Sequence, residues 1–485
     1  MSIERVYHVL GRTLWRSMLL LVVLLAVYVA GTRALLSALP VYQNNVNDWL
    51  TEKIGLNYSI SSLRGDIEKF QPSIQVTGLH IALPNGRPLV FESAEITVDP
   101  WASLLARQVR LDTLRLHGLA VDLLVDAIYP SAGDGSAARL AASLLVAFRK
   151  VTIEQSEIWL VGSEGGRQQL NVMLDLHRSG SERQVVMEVS GPQSSQLSIS
   201  GSSVGDILQL DRFAGELYGR LSIPNAEWLS PFFGDGFNVN GELDFWYRSN
   251  SQEPNIDLSL DLADLAWSHQ GGRTVKLDTL VFDTGVDFQS GGWISRLQSL
   301  VMSANDRAFS LDRLEVDNRG DGLRLKTEGL DVGELLRTVV ATDILPTKIS
   351  AILSELDPTG SLVALDAGLA DWREPLVDWS VVAQVENLSV KARKKLPGLL
   401  GIDGTVEATQ NGAVAWLDTD NFTLDLPKVY REPIEFKKIL GQLSASWDAN
   451  TLFLHNGVFD GEHEEHHANA LFGMTIPLFP KTLQG

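Results

Sequence analysis

Two short stretches hold residues whose types and spacing could do chemistry. His463-Glu464-Glu465-His466-His467 matches H-E-x-x-H, in which two imidazoles one helical turn apart hold zinc and the glutamate acts as base. That chemistry requires a helix. Here the stretch follows Asp460-Gly461, stands between the strand-like LFLHNGVF and ALFGMTIP, and has no helical apolar period and no good third ligand after it. An exposed polar hairpin loop is expected, with no metal site and with His463, His466 and His467 as adventitious ligands at most. Gly201-Ser202-Ser203-Val204-Gly205 matches G-x-S-x-G, but a nucleophile elbow joins a strand to a helix. The flanks read as strands, so a turn between them is expected. With 0 cysteines there is no disulfide, thiolate metal site or cysteine nucleophile. No catalytic residue and no cofactor are assigned, and the chain is read as a non-enzyme; an exported hydrolase using the histidines is the last-ranked alternative.

The formal net charge of −20 is spread in single acidic steps. It excludes a phosphate-tracking groove, which needs clustered Lys and Arg, so no nucleic-acid partner is expected. Lys391, Arg393, Lys394 and Lys395 form the one dense basic cluster, either a solvated loop face or a contact for an anionic headgroup. Of the 12 tryptophans, Trp228, Trp246, Trp267, Trp293, Trp372 and Trp416 could rim a lipid groove or pack in a core.

The elements that would position any such site begin with an uncharged run between Arg16 and Arg33, SMLLLVVLLAVYVAGT. With the flanking residues from Leu14 to Leu36 it reaches membrane-spanning length. Leu14, Trp15, Leu20, Leu24, Tyr28 and Leu36 are its anchor residues, Trp15 and Tyr28 near the two ends of the run as interfacial aromatics. Arg5, Arg12 and Arg16 precede it, which places Met1 in the cytoplasm and the bulk of the chain across the membrane. A cleaved signal is the competing reading. The apolar stretch is longer than a signal core, and small residues are poorly placed for cleavage after Ala38.

Val41 to Leu56 reads as a short amphipathic helix. From Tyr58 the period changes to two: Tyr58-Ser-Ile60, Ser73 to Ile81, a turn at Pro84-Asn85-Gly86, and Ala94 to Val98. Pro100 to Arg107 is a short helix with Asp99 as cap. Val109 to His117 and Leu119 to Leu123 read as two strands with a turn at Gly118. After a flexible gap at Ser131 to Ser136, a helix is expected over Ala137 to Phe148. Strands follow at Val151 to Leu160, Val172 to Leu176, Val185 to Val189, Leu243 to Tyr247, Ile256 to Leu262 and Phe309 to Val316. Helices at Val332 to Thr342 and Lys348 to Leu356 interrupt. Strands resume at Val377 to Val390, Gly404 to Ala408, Phe422 to Leu426 and Leu443 to Phe459.

So many strands with so few covering helices exclude a doubly wound α/β fold. The expected class is mainly β: an elongated, curled antiparallel sheet forming a repeating groove, with a few short helices and one N-terminal transmembrane helix. Its expected parts are an anchor (1–40), a membrane-proximal β unit (41–130) and two groove sections (131–330 and 331–485).

Several stretches carry a family resemblance: AEITVDPWASLLARQVRLDTLRLHGLAVDL at Ala94 to Leu123, GLDVGELL at Gly329 to Leu336, LDPTGSL at Leu356 to Leu362, and LPGLLGIDGTVEATQNGAVAWLDTDNFTLDLP at Leu396 to Pro427. With the anchor, this ordered set resembles the AsmA-like proteins, and within them the YhdP branch, relatives of TamB and YdbH. The resemblance implies a taco-shaped periplasmic β-groove on an inner-membrane helix, similar to bridge-like lipid transfer proteins, carrying phospholipid acyl chains toward the outer membrane and supporting its integrity. It implies phospholipid and the inner membrane as partners, and an outer-membrane or periplasmic protein at the far end. Members of that branch continue well past Gly485, so an amino-terminal portion is expected. Lining candidates are Ile74, Val76, Ile96, Val98, Leu114, Leu116, Leu174, Leu258 and Leu260. The alternative is an envelope assembly or interaction scaffold whose sheet edges recruit partners.

Overall fold

The computed structural model describes residues 3–42, 58–68, 70–82, 88–124, 148–162, 165–204, 214–234, 236–250, 254–269, 273–372, 378–393, 397–428, 430–448, 451–463, 466–471 and 473–477. The chain is mainly β. The helices expected at Val41 to Leu56 and Ala137 to Phe148, and the Pro84-Asn85-Gly86 turn, lie wholly or almost wholly outside these residues. The described strands belong to one hydrogen-bonded sheet of 24 strands, and the chain divides into two compact units, Met1–Gly219 and Arg220–Gly485.

The first unit opens with α1, Ile3–Ala38. Its apolar span, Leu14–Val41, has a mean hydropathy of 2.3 and is almost wholly exposed, as expected of a helix meant for lipid. Then come β1 Tyr58–Glu68, β2 Gln71–Ala82 and β3 Pro88–Val98. Helix α2, Pro100–Ala106, is short because both ends are closed. Asp99 accepts from the Ala102 amide and Pro100 occupies the first turn, while Arg107 adopts a left-handed conformation (φ 51°) at the other end. Strands β4 Leu111–Leu124, β5 Lys150–Val161, β6 Arg167–Ser179, β7 Glu182–Ser190 and β8 Gln196–Val204 complete the ladder, and β9 Ala214–Ile223 contains the division between units.

The pairs β1–β2, β2–β3 and β3–β4 are antiparallel, as are β5–β6, β6–β7 and β7–β8. The expectation of a purely antiparallel sheet needs one correction, because β4 and β5 run parallel, with Leu114 beside Val151 and Val121 beside Ile158. The connection between them is long enough to cross over, which a parallel pair requires. The G-x-S-x-G stretch is also corrected: Gly201 to Val204 continue β8 and make no turn.

The second unit holds α3 Ser230–Phe233, β10 Asn238–Asn250, β11 Asn255–His269, β12 Arg273–Gln289, β13 Gly292–Ala304, β14 Arg307–Leu311, β15 Leu314–Arg319 and β16 Gly322–Asp331. Helices α4 Val332–Ala341 and α5 Thr347–Leu356 follow, the first capped by Asp331 on the Glu334 amide at 2.7 Å. Then come β17 Thr359–Leu369, β18 Trp379–Val390, β19 Gly398–Thr409, β20 Gly412–Asp425, β21 Ile434–Trp447, β22 Thr451–His463, β23 His466–Ala470 and β24 Gly473–Pro477.

All pairings described within this unit are antiparallel. Strand β13 pairs with β14 at one end and β15 at the other, so Phe309 to Val316 is two strands where one was expected. Leu443 to Phe459 likewise divides into the facing ends of β21 and β22, because the Asp448 carboxylate accepts the Thr451 amide and turns the chain.

Candidate functional site

The apolar face of each ladder is set by a recurrent slip in the alternation. On β4, Leu114 and Leu116 are followed by Leu119, Val121 and Leu123, a change from even to odd positions across Gly118. Gly118 has φ 64°, and β4 runs straight through it. The expected turn is therefore a single left-handed residue inside one strand. Such a residue shifts the side chains by one without ending the ladder and bends the strand locally.

The same slip occurs at Gly78 on β2, Gln155 on β5, Asp264 on β11, Asn387 on β18 and Asn421 on β20, all with φ between 50° and 63°. Glycine, asparagine and aspartate tolerate this region best, and four of these five are of those types. Each strand keeps its oily residues on one side despite bending.

In the first unit, register assembles those positions into rows. Ile74 pairs with Ile96, Ile96 with Leu114, Leu114 with Val151, and Val151 with Leu176. Val76, Ala94, Leu116, Ile153, Leu174, Met187 and Ile199 form the neighbouring row. Part of this face is filled. Val76, Leu114 and Leu116 are buried with Ile60, Leu63, Phe91, Phe148 and Val151, while Ile74, Ile96 and Leu39 pack against them. Val98, opposite Leu111, is half-buried. Leu174, Met187 and Ile199, on β6 to β8, are also only half-buried.

The second unit carries the longer row. Phe245 pairs with Leu258, Leu258 with Thr284, Thr284 with Leu297, Leu297 with Leu314, and Leu314 with Thr327. It continues through Leu365, Ala383, Val406, Ala415 and Leu443. Leu243, Leu260, Phe282, Leu300 and Leu311 run beside it. One section is covered: α4 lays Val332 and Leu335 over Phe309, Leu311 and Leu330, with Leu300, Met302, Leu314 and Leu362 around them. Elsewhere the row is half-open apart from Thr327 and Ala383, which are buried. Phe245, Leu258, Leu260, Phe282 and Val406 are all neither buried nor fully exposed.

The opposite face is charged, and its charges pair sideways across strands. Arg248 pairs with Asp257, Arg296 with Asp287 and Glu315, and Arg324 with Asp366, Nε to Oδ1 at 2.6 Å. Lys438 meets Asp418 at 3.3 Å and Asp420 at 3.7 Å. Hydrogen bonding from Arg324 holds the Asp366 carboxyl below the usual carboxylate range. A depression of about 670 Å³ on this side is lined by Arg296, Glu315, Lys326, Asp366 and Gln384 among others. Leu297, Leu314, Ala364, Leu365 and Val382 also line it, so its wall is mixed.

Other sequence candidates also find their places. His463 pairs with His466 across the β22–β23 ladder, so His463, His466 and His467 stand on strands and not on a helix; Glu464 and Glu465 lie outside the described residues. No group of three or more potential ligands forms a metal site among the described residues. Lys391 binds Asp357 at 2.7 Å and Arg393 binds Glu355, which ties the basic stretch to the end of α5; Lys394 and Lys395 lie outside the described residues. Trp246 and Trp416 stand on the charged face, Trp246 with the Arg248 guanidinium 5.7 Å from its ring centre. Trp293 stands on the apolar face opposite Phe288, and Trp267 is on the same face beside buried Val275. Trp228 is half-buried in a short 3-10 turn, and Trp372 is exposed.

These features define a class: a mainly β protein whose ladder keeps one apolar and one ion-paired face, preceded by an apolar helix that supports a membrane anchor. The chain belongs to the YhdP family, whose family model, described as YhdP protein, matches residues 1–480. Comparison with curated proteins and with solved structures gives no match.

Proposed function

We propose that this protein is an inner-membrane-anchored, periplasmic carrier of phospholipid, holding acyl chains against its apolar strand face and guiding them toward the outer membrane. The half-open positions of the row, Phe245 and Leu258 with Leu260 and Phe282 beside them, and Val406 farther along, carry this reading. A soluble sheet ordinarily buries such a row under another layer. Left open, the row matches the tails of a lipid whose headgroup stays in water, at about 0.8 kcal/mol for each methylene removed from water. The reading needs no catalytic group, since movement along near-equivalent sites is diffusive. Arg5, Arg12 and Arg16, in the part of α1 that precedes its uncharged run, and the acidic chain after the helix favour a cytoplasmic Met1.

Photo-crosslinking in living envelopes tests it, with the probe placed in turn at Leu258, Leu260, Asp257 and Ser259. Phospholipid adducts at the two leucines, and not at their neighbours, are expected. Protein adducts without lipid at any of the four positions would overturn transport and favour an envelope scaffold.

A further inference from the structure

The lower edge of the first unit carries an unexplained apolar cluster. Phe70, at the tip between β1 and β2, is 58 % exposed; Trp101, Leu105 and Val109, on and just after α2, are 73 %, 85 % and 72 % exposed, and Leu104 is similar. Register brings these to one edge. Glu68 pairs with Gln71 around the tip, Ser73 at the start of β2 lies opposite Thr97 at the end of β3, and Val98 lies opposite Leu111. The β1–β2 tip and the α2 loop therefore leave the sheet on the same side.

Helix α1 marks where that edge stands. Leu36 packs against Gly65 on β1, and the Tyr28 hydroxyl donates to the Phe70 carbonyl at 3.1 Å. Strand β1 thus descends along the helix toward its apolar middle. Tyr28 is five residues short of Arg33, the charge bounding the apolar run, or roughly 7–8 Å along the axis at 1.5 Å per residue. Interfacial apolar groups enter a membrane by about 5–10 Å.

We propose that this edge is a membrane-insertion surface, with Phe70, Trp101, Leu104, Leu105 and Val109 seated in the leaflet around α1. The proposal rests on the anchor reading of α1 and extends it from a tether to a docking face. The occupant is lipid because the patch is continuous with the lipid-facing helix through Tyr28. The flanking charges agree. Arg107 and Arg110 are exposed beside the patch, at the level of lipid phosphates; of the carboxylates flanking α2, Asp99 is engaged as the helix cap and Asp112 faces Arg149 at 4.0 Å. Asp66 and Glu68 on the descending strand are exposed and limit the depth, since a carboxylate stays at the headgroup level. The docked edge sets the start of the apolar face against its lipid source.

The test uses the full chain in phospholipid nanodiscs. It contains 0 cysteines, so single-cysteine variants take an environment-sensitive fluorophore without background. Phe70→Cys and Leu105→Cys report the patch, Leu20→Cys the anchor, and Ser179→Cys an exposed hairpin end in the same unit. Several-fold brighter emission at positions 70 and 105 than at 179, quenched by spin labels near the lipid headgroups, is expected. A lipid-quenched position 20 with positions 70 and 105 as wet as 179 would overturn insertion and leave the anchor standing. A wet position 20 would overturn both.

Discussion

Leu36 closes over Gly65: a Cβ at residue 65 would lie 2.6 Å from the Leu36 Cβ and 2.9 Å from its carbonyl oxygen. The missing side chain is what lets the apolar helix lie directly on β1. Gly65→Leu is expected to lift α1 from the strand at a cost of about 1–3 kcal/mol, seen as faster hydrogen exchange across Ile60 to Glu68. Gly31→Leu, where a side chain meets nothing within 4 Å, should leave that exchange unchanged.

Gly118 combines a left-handed backbone with a crowded neighbour. A Cβ there would sit 2.6 Å from the Glu92 Cβ, whereas Gly180, at a similar φ, has open space. Gly118→Ala should destabilise the first unit by about 1–3 kcal/mol, and Gly180→Ala by less. Chemical denaturation of the two variants measures the difference, which isolates the contact from the backbone cost.

The Arg324–Asp366 pair predicts the direction of acid sensitivity. Asp366 titrates lower in the folded chain than its ordinary value, so the stability it supplies is complete above the unfolded carboxylate pKa near about 4. It is lost as pH falls through the lower, folded pKa. Asp357, held low by Lys391 and Arg337, acts in the same sense. Both pairs are partly exposed, so the effect is small and salt-screened. Urea midpoints of Asp366→Asn should fall below wild type at pH 7 and converge with it under strongly acidic conditions.

Leu260 and Ser259 are adjacent residues on opposite faces. Leu260→Gln places a polar amide between Leu243 and Phe282 and is expected to lower co-purifying phospholipid several-fold. Ser259→Gln, between Asp244 and Asp283, should retain it. Lipid extraction and quantification from the two purified variants decides the matter; equal loss from both would speak against face-specific binding.

Much of this was legible in residue order. A run free of charge from Ser17 to Thr32, alternation of period two, and Asp99 before Pro100 each specify local structure through forces that act within one segment: apolar transfer, side-chain alternation and the satisfaction of end amides. The left-handed slips were visible too, as a change from even to odd apolar positions at Gly118. Reading that change as a turn missed that one residue at positive φ can absorb the shift.

Pairing and cover needed the tertiary structure. Nothing in β4 or β5 alone sets them parallel, since direction depends on where the connection between them runs. Equally, Leu116 and Leu258 look alike in sequence, both apolar members of an alternating strand. The first is buried in the cluster around Phe91 and Phe148, and the second stands half-open beside Phe245 and Thr284. Alternation determines which face is apolar; only distant segments, arriving or failing to arrive over that face, decide whether it becomes a core or a surface for lipid.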